Sequence, residues 1–344
     1  MSTITLPKVD LGTVYKGSPS GKVVQAKGAT VDLQPDEVVI DIAYSGICGS
    51  DLHLLTKDAV QGHEGVGVIS QVGNSVKHVK VGDRVGWGCN HYSCNYCDEC
   101  LLGNDQQCPE RRFHSVADTH FGSLGDRAVL NSYFVHVIPN EIKLVDAGPL
   151  QCGGATVYGA IVNAGIRSPD RVGVIGIGGL GHLAIQYLAK MGCEVVVFSS
   201  TNSKKGEAMQ LGATEFVAAK ENPKFEGIKP VDALIVSTSA QPDWAPYLNV
   251  VKVRGTIIPL SLSQDDLKLP YAVVLMKELR FIGSLVANRY YHREMLRFSA
   301  KHNIRPMTEV LPMTEEKISE ALERLSKGDV RYRFVLKSQT TDAE

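Results

Sequence analysis

The sequence predicts an α/β protein of two domains, a mainly β domain and a doubly wound parallel sheet, and three observations carry that prediction. Its 344 residues exceed the usual size of one hydrophobic core. Up to about residue 150 the chain reads as short strands between turns. From about residue 171 it changes to strand, helix, strand, the texture of a βαβ unit.

In the first part, the runs from Glu37 to Tyr44 and from Gly65 to Val72 are β-branched stretches bounded by Gly, Asp and Asn, so both are expected to be strands. In the second, Arg171 to Ile177 is a short apolar strand, the residues after it are helical, and Glu194 to Ser199 is a second strand. Further strands at Val231 to Thr238, Thr256 to Ser261 and Arg280 to Leu285 extend the unit into a parallel sheet. The tail from about residue 290 returns to mixed structure and is expected to pack back on the first domain. No internal repeat or low-complexity linker separates the two.

Composition narrows the function classes. Lys plus Arg (36) nearly cancels Asp plus Glu (37), so no net field draws the chain to nucleic acid or an anionic membrane, and a small-molecule partner is expected. The N-terminal stretch MSTITLPKVDLGTVYKG lacks a charged start followed by an apolar run, and no later stretch reaches a membrane span. Cytoplasmic residence is the expectation, and there the 8 cysteines are better read as metal ligands or catalytic groups than as disulfides.

Their spacing separates two constellations. Cys94, Cys97, Cys100 and Cys108 form C-x2-C-x2-C-x7-C, which lets one loop offer four thiolates to a tetrahedral Zn2+. Four protein ligands leave no open position, so that zinc is read as structural, holding a lobe at about residues 89–112. Disulfides are the weaker alternative, and Asp98, Glu99 and Asp105 argue against a nucleic-acid zinc ribbon. Cys48 and His63 are candidates for a second site, although each alone is more often a core residue. Cys89 and Cys193 are left over and are expected to be buried.

Gly176-Ile177-Gly178-Gly179-Leu180-Gly181 ends the first strand of the βαβ unit and opens its helix, the context that makes a glycine pattern a dinucleotide fingerprint. Glycines let the backbone approach a pyrophosphate, and the helix start offers N–H groups and a partial positive charge. Enzymes that use NAD carry a carboxylate at the end of the second strand. Here that position reads Phe198-Ser199-Ser200-Thr201-Asn202-Ser203-Lys204-Lys205. Hydroxyls and lysines accept a 2'-phosphate that a carboxylate would repel, so NADP(H) is favoured.

The segments GICGSDLH, QGHEGVGVI, VGDRVGWGC, the four-cysteine knot, PLQCGGATVYGA, VGVIGIGGLGHLAIQYLAKMG and GDVRYRFVL together resemble zinc-containing medium-chain alcohol dehydrogenases, and among them the cinnamyl alcohol dehydrogenase group. The resemblance runs over most of the chain. It implies that Cys48, His63 and Cys152 ligate a catalytic zinc, and alcohol dehydrogenase is itself the standard example of a Cys2His site with an open fourth position. An open zinc acts as a Lewis acid on an alcohol or carbonyl oxygen. By the same resemblance Glu64 sits behind the zinc and can exchange onto it, and Asp51 orients His63. Ser50 and His53 would form a proton relay. Ser199, Ser200, Thr201 and Lys204 would surround the 2'-phosphate, with Ser50, Thr156, Thr238, Ser261, Ser284, Leu285 and Val286 as further cofactor contacts.

The resemblance implies a GroES-like catalytic domain, residues 1–151 and 290–344, with a Rossmann domain, 152–289, inserted between. The expected function is hydride transfer between NADPH and a zinc-bound aryl, allylic or aliphatic aldehyde. A mannitol-type polyol dehydrogenase and a reductase of C=C or C=N bonds are the rivals. A homodimer paired near Gly283 to Ala287 is a further implication. One departure is visible: the segment 49–62 between Cys48 and His63 is shorter than the family pattern, which predicts a more open pocket. Trp87, Phe113, His114, Phe121 and Leu285 are candidate pocket residues.

Overall fold

The strand Glu37–Gly46 is 10 residues long, enough to serve three partners, and the first sheet is organised around it. Its first half pairs with Arg127–Asn131 and its last residues with Arg333–Lys337, while Gly65–Val72 runs antiparallel along its other edge. The sheet order is His136–Val137, Arg84–Trp87, Gly65–Val72, Glu37–Gly46, Arg333–Lys337, Thr308–Pro312. The computed structural model describes residues 6–263 and 266–341; residues 1–5 of the N-terminal stretch, 264–265 and 342–344 lie outside them.

Alternation explains why the central strand is buried on both sides. Val38, Ile40 and Ile42 enter one core with Ile69, Val85, Trp87, Phe334 and Leu336, whereas Val39 points the other way into a core with Val9, Leu11, Leu33 and Val129. Each fully buried aliphatic side chain contributes roughly 1.5–3 kcal/mol. The helix Glu315–Ser326 covers the first core with Ile318, Ala321 and Leu322. Its start is set by Thr314, whose hydroxyl accepts from the Lys317 N–H, and by Glu315 and Glu316 in the first turn. Trp87 is fully buried in this core against Gly65, and Phe121 packs on it. Strand pairing turns Trp87 inward, and Phe121 stays partly buried against the same core.

The chain divides into two compact units, residues 1–152 with 288–344 and residues 153–287. The second holds six parallel strands, Arg171–Ile175, Glu194–Ser199, Glu215–Ala218, Val231–Val236, Val251–Pro259 and Arg280–Phe281. Numbered along the chain, they lie in the order 3-2-1-4-5-6, the doubly wound arrangement of a Rossmann fold. Arg171–Ile175 is buried at every residue, as a central parallel strand must be. The Arg171 guanidinium meets the carboxylates of Glu194 and Glu215 and so ties the starts of three strands. The fifth strand begins earlier than its apolar run suggests, and the sixth stops at Phe281, because it pairs only through Arg280 and Phe281 at the sheet edge. Among the described residues no helix is long and apolar enough to cross a membrane.

Candidate metal and cofactor sites

Cys94, Cys97, Cys100 and Cys108 lie in a lobe closed by the short antiparallel pair Asn90–Tyr92 and Arg112–Phe113. A tetrahedron of sulfurs about 2.3 Å from a zinc has edges of about 3.8 Å. The separations of 3.6 Å for Cys94 to Cys108 and 4.0 Å for Cys94 to Cys100 match it, and no disulfide is present. Backbone N–H groups support the thiolates: Cys94 donates to the Cys108 sulfur and Cys97 to the Cys94 sulfur, both at 3.4 Å. Burial works against ionisation of Cys94, but the N–H groups of Tyr96 and Cys97 outweigh it and bring this thiol down to about 7. The donor set fits a closed zinc site.

The second group is assembled from three distant segments: Cys48, His63 with Glu64, and Cys152. Cys48 follows the central strand and opens the turn Gly49–His53; Cys152 sits in a wide, π-type turn, Leu150–Gly154. The Cys48 and Cys152 sulfurs are 4.0 Å apart, and one ligand atom from each of the four residues lies within 4.8 Å of the others. Asp51 ties two of the segments together. One of its oxygens accepts from the Cys48 N–H at 2.8 Å and the other meets Nδ1 of His63 at 2.8 Å. With Nδ1 engaged, Nε2 is the nitrogen left for a metal. The Cys48 thiol is held well below its usual range by the hydrogen bond from Cys152, against the cost of burial and helped by His63 and Arg333.

Glu64 is fully buried, and both its carboxylate oxygens contact the Arg333 guanidinium. A buried ion pair of this kind satisfies two charges at once. With Glu64 held by Arg333, Cys48, His63 and Cys152 are left as a three-ligand set with one position open, the pattern of a catalytic rather than a structural zinc. Arg333 is a residue that sequence reasoning missed. Its signal was available: an arginine within the apolar strand Arg333–Lys337, buried at all but its last residue, needs a buried partner.

Ser50 and His53 are the second and last residues of the 3₁₀ turn Gly49–His53, three residues apart, so they share one face. The Ser50 hydroxyl lies 3.8 Å from the Cys48 sulfur, and His53 is exposed. Of the other pocket candidates, His114 is buried with its ring 6.0 Å from that of His63, Phe113 is partly buried and Leu285 is exposed.

In the second unit, the glycine loop follows the first strand at the reversal of strand order, between Arg171–Ile175 and Val231–Val236. Gly176 has φ +88°, a region open to glycine, and a Cβ on Gly181 would lie 2.1 Å from the Gly176 carbonyl. A Cβ on Gly178 would meet nothing, so this side of the loop is open to a ligand. No side chain caps the helix Gly181–Lys190, which leaves its start available to an anion. Ser237, which sequence reasoning missed, clamps the loop through the carbonyls of Ile175 (2.8 Å) and Gly176 (3.2 Å).

Ser199 ends the second strand and Ser200 follows it. Thr201 caps the next turn through the Ser203 N–H, and Lys204 Nζ donates to the Ile177 carbonyl at 2.7 Å, joining this turn to the glycine loop. Ser199 to Thr201 and Lys204 thus lie in one short stretch of chain tied to the glycine loop. Thr238 donates to the Ala240 carbonyl and its methyl abuts Gly176. Thr156 is buried, Ser261 partly buried, Ser284 has a buried hydroxyl with no hydrogen-bond partner, and Val286 takes φ +43°. Ile177, Gly179 and Leu180 complete the loop.

Two family models match the chain. Residues 34–140 match the alcohol dehydrogenase GroES-like domain and residues 179–301 the zinc-binding dehydrogenase domain. The chain is 36% identical to a probable cinnamyl alcohol dehydrogenase 3 of Oryza sativa subsp. japonica, covering 88% of this chain and 86% of that one. It is 35% identical to an NADP-dependent alcohol dehydrogenase C 1 of Mycolicibacterium smegmatis (88% and 90%) and to a probable mannitol dehydrogenase of Mesembryanthemum crystallinum (87% of each). Among solved structures, a cinnamyl alcohol dehydrogenase of Sorghum bicolor superposes with a TM-score of 0.90 at 30% identity over 98% of this chain and 99% of that one. One from Helicobacter pylori, solved with NADP(H), superposes at 0.87 with 27% identity over 96% and 98%. With these matches over nearly its whole length, the chain belongs to the zinc-containing medium-chain alcohol dehydrogenases, in the company of the cinnamyl alcohol dehydrogenases.

Proposed function

We propose that this alcohol dehydrogenase reduces aryl, allylic and medium aliphatic aldehydes with NADPH, using a zinc held by Cys48, His63 and Cys152. The observation that carries the reading is the open three-ligand set, with Glu64 engaged by Arg333. Zinc in that position supplies Lewis acidity toward a carbonyl oxygen, and the nicotinamide supplies hydride. The remaining work falls to the chain. Asp51 keeps His63 in the tautomer that presents Nε2, Ser50 and His53 carry the proton along one face of their turn, and the ion pair of Glu64 and Arg333 balances charge behind the ligands.

Preference for NADPH rests on Ser199, Ser200, Thr201 and Lys204, where hydroxyls and an ammonium stand in place of a carboxylate. The glycine loop, with Thr156, Thr238, Ser261, Ser284, Leu285 and Val286, holds the rest of the cofactor. The shortened segment 49–62 leaves a wider pocket and a broader substrate range. Cys94, Cys97, Cys100 and Cys108 hold a structural zinc, the two units act as catalytic and cofactor domains, and the protein works as a cytoplasmic homodimer paired through the edge strand near Gly283 to Ala287.

A polyol substrate is the second reading. Relatives named mannitol dehydrogenases stand at 35% identity, and a buried row of rings joins His63 to His114 and His114 to His91, whose Nε2 has no hydrogen-bond partner. Nicotinamide absorbance during reduction of cinnamaldehyde, benzaldehyde, hexanal and fructose separates the two, run with NADPH and NADH before and after a strong zinc chelator. Chelator-sensitive aldehyde reduction that favours NADPH is the expected result. Activity on fructose alone would transfer the reading to the polyol class, and equal rates with NADH would remove the assignment of the 2'-phosphate site.

A further inference from the structure

Gln151, the residue before Cys152, is a buried amide. It is 2% exposed and lies against the strand Arg84–Trp87, where a Cβ on Gly86 would come within 2.5 Å of its carboxamide carbon. A Cβ on Gly88 would come within 2.7 Å of its backbone carbonyl. Two glycines thus leave a slot that the glutamine fills. A buried amide needs both of its ends paired. Its nitrogen donates to the Ala147 carbonyl at 2.8 Å, and its oxygen accepts from Nε2 of His292 at 2.9 Å. His292 comes from a segment remote in sequence, the helix Arg289–His302, and is itself buried. Its ring stacks on His136 with centroids 3.9 Å apart and planes at 28°.

The turn that Gln151 belongs to is irregular. Leu150–Gly154 is a π-type turn between the helices Leu144–Pro149 and Ala155–Asn163, where backbone bonds run i→i+5 instead of i→i+4, a wider and less common geometry. The Gln151 amide braces this widened turn from a side chain, tying it to the Ala147 carbonyl at one end and to the His292 ring at the other. The same turn carries the Cys152 sulfur, which has to lie 4.0 Å from that of Cys48.

We propose that His292 is a positioning residue for the metal ligand Cys152, acting through Gln151, with His136 as the stacking surface that holds its ring. The proposal rests on the reading of Cys48, His63 and Cys152 as a zinc site. Outer partners of this kind typically change metal retention by about 10- to 100-fold. Among the described residues the His292 ring has no hydrogen bond or ring contact to the ligands or to Glu64, and its hydrogen bond is to the Gln151 amide.

The test is the rate at which each zinc leaves the purified protein to an excess of a chromogenic chelator, measured for wild type, His292→Leu, His292→Gln, Gln151→Leu and the double variant Gln151→Leu/His292→Leu. Cobalt substitution gives a second readout, since the thiolate-to-cobalt absorption reports the geometry of the Cys48 and Cys152 sulfurs. In wild type two zincs are expected to leave in separate phases. His292→Leu is expected to speed the phase of the Cys2His site at least tenfold and shift its cobalt absorption, leaving the four-cysteine phase unchanged. His292→Gln keeps an N–H donor and should restore most of the slow phase. In the Gln151→Leu background the further change His292→Leu should have no effect on zinc release, because the route through the amide is already gone. An unchanged release rate in His292→Leu, or an equally large acceleration in the Gln151→Leu background, would overturn the proposal. A wild-type protein that holds only the four-cysteine zinc would overturn the zinc reading itself, and this inference with it. Should His292→Leu not fold, seen as loss of the four-cysteine zinc too, the comparison of His292→Gln with a His292→Asn variant of shorter reach decides: equal release rates would overturn the proposal.

Discussion

The two thiol clusters are built in opposite ways. Cys94, Cys97, Cys100 and Cys108 come from one short stretch of chain, lie partly at the surface, and are supported mainly by backbone N–H groups of their own loop. Cys48, His63 and Cys152 come from three segments, are largely buried, and depend on side chains elsewhere: Asp51 on two ligands, Arg333 on Glu64, Gln151 beside Cys152. A local knot needs only spacing to form, and closes. A site assembled over long range can leave one position open because its surroundings, not a fourth ligand, hold it in shape.

The largest test of that contrast is ligand removal. His63→Ala should lower aldehyde reduction about a thousandfold, since Lewis-acid stabilisation is worth several kcal/mol and each 1.36 kcal/mol is about tenfold. The thermal midpoint should fall only by the cost of leaving one buried Asp51 oxygen without its partner, about 1–3 kcal/mol. Cys100→Ser should do the reverse, destabilising the lobe by several kcal/mol and releasing hydrogen-exchange protection in residues 89–112 before the rest. Equal thermal losses in the two variants would erase the distinction.

Arg333→Met comes next. It strands the Glu64 carboxylate in a fully buried place, so a stability loss of about 3–5 kcal/mol is expected from denaturant unfolding, with Glu64→Gln/Arg333→Met recovering most of it. If the single variant were as stable as wild type, the ion pair would not be what holds Glu64 back. Asp51→Asn should be milder, a loss of about 10- to 100-fold in metal retention at the Cys2His site alone, because an amide can still accept from the Cys48 N–H with one atom. Metal analysis after timed chelation checks it.

How much of this could be read from the chain differs between the clusters for the same reason. The knot is legible because its ligands recur within one loop, and the glycine loop because Gly176 to Gly181 lies between an apolar strand and a helix. The open site became legible only as a set of family motifs, since nothing local links Cys48 to Cys152. Arg333 and the pair Gln151 and His292 were not seen at all: their partners lie far away in sequence, and a single arginine, glutamine or histidine in an amphipathic pattern gives no sign of which neighbour folding will bring. Trp87, a pocket candidate from the sequence, is turned into the core by strand pairing, which no local pattern reveals.

The smallest effect is a dependence on pH that belongs to the open site's surroundings and not to the knot's. Burial, reinforced by Arg293, depresses His292 to about 3, and burial together with His292, Arg293 and Arg289 depresses His136 as well. A histidine depressed in the folded state binds fewer protons there than in the unfolded chain at every pH between the two values. Stability is therefore intact above about pH 6.5 and is lost as pH falls below it, down toward the folded value. For His292 the loss at pH 5.5 relative to pH 8 is about 1.4 kcal/mol, and His136 adds to it with the same sign. Denaturant unfolding at the two pH values, on wild type and on His136→Phe, isolates the contribution. Replacing His136 removes its own penalty and one like-charged neighbour of His292, so the variant should lose less stability on acidification than wild type. A variant that tracked wild type across the range would place the acid sensitivity elsewhere, with the thiols themselves the next groups to test, and the contrast between a self-contained knot and a site leaning on its buried neighbours would lose its support from pH.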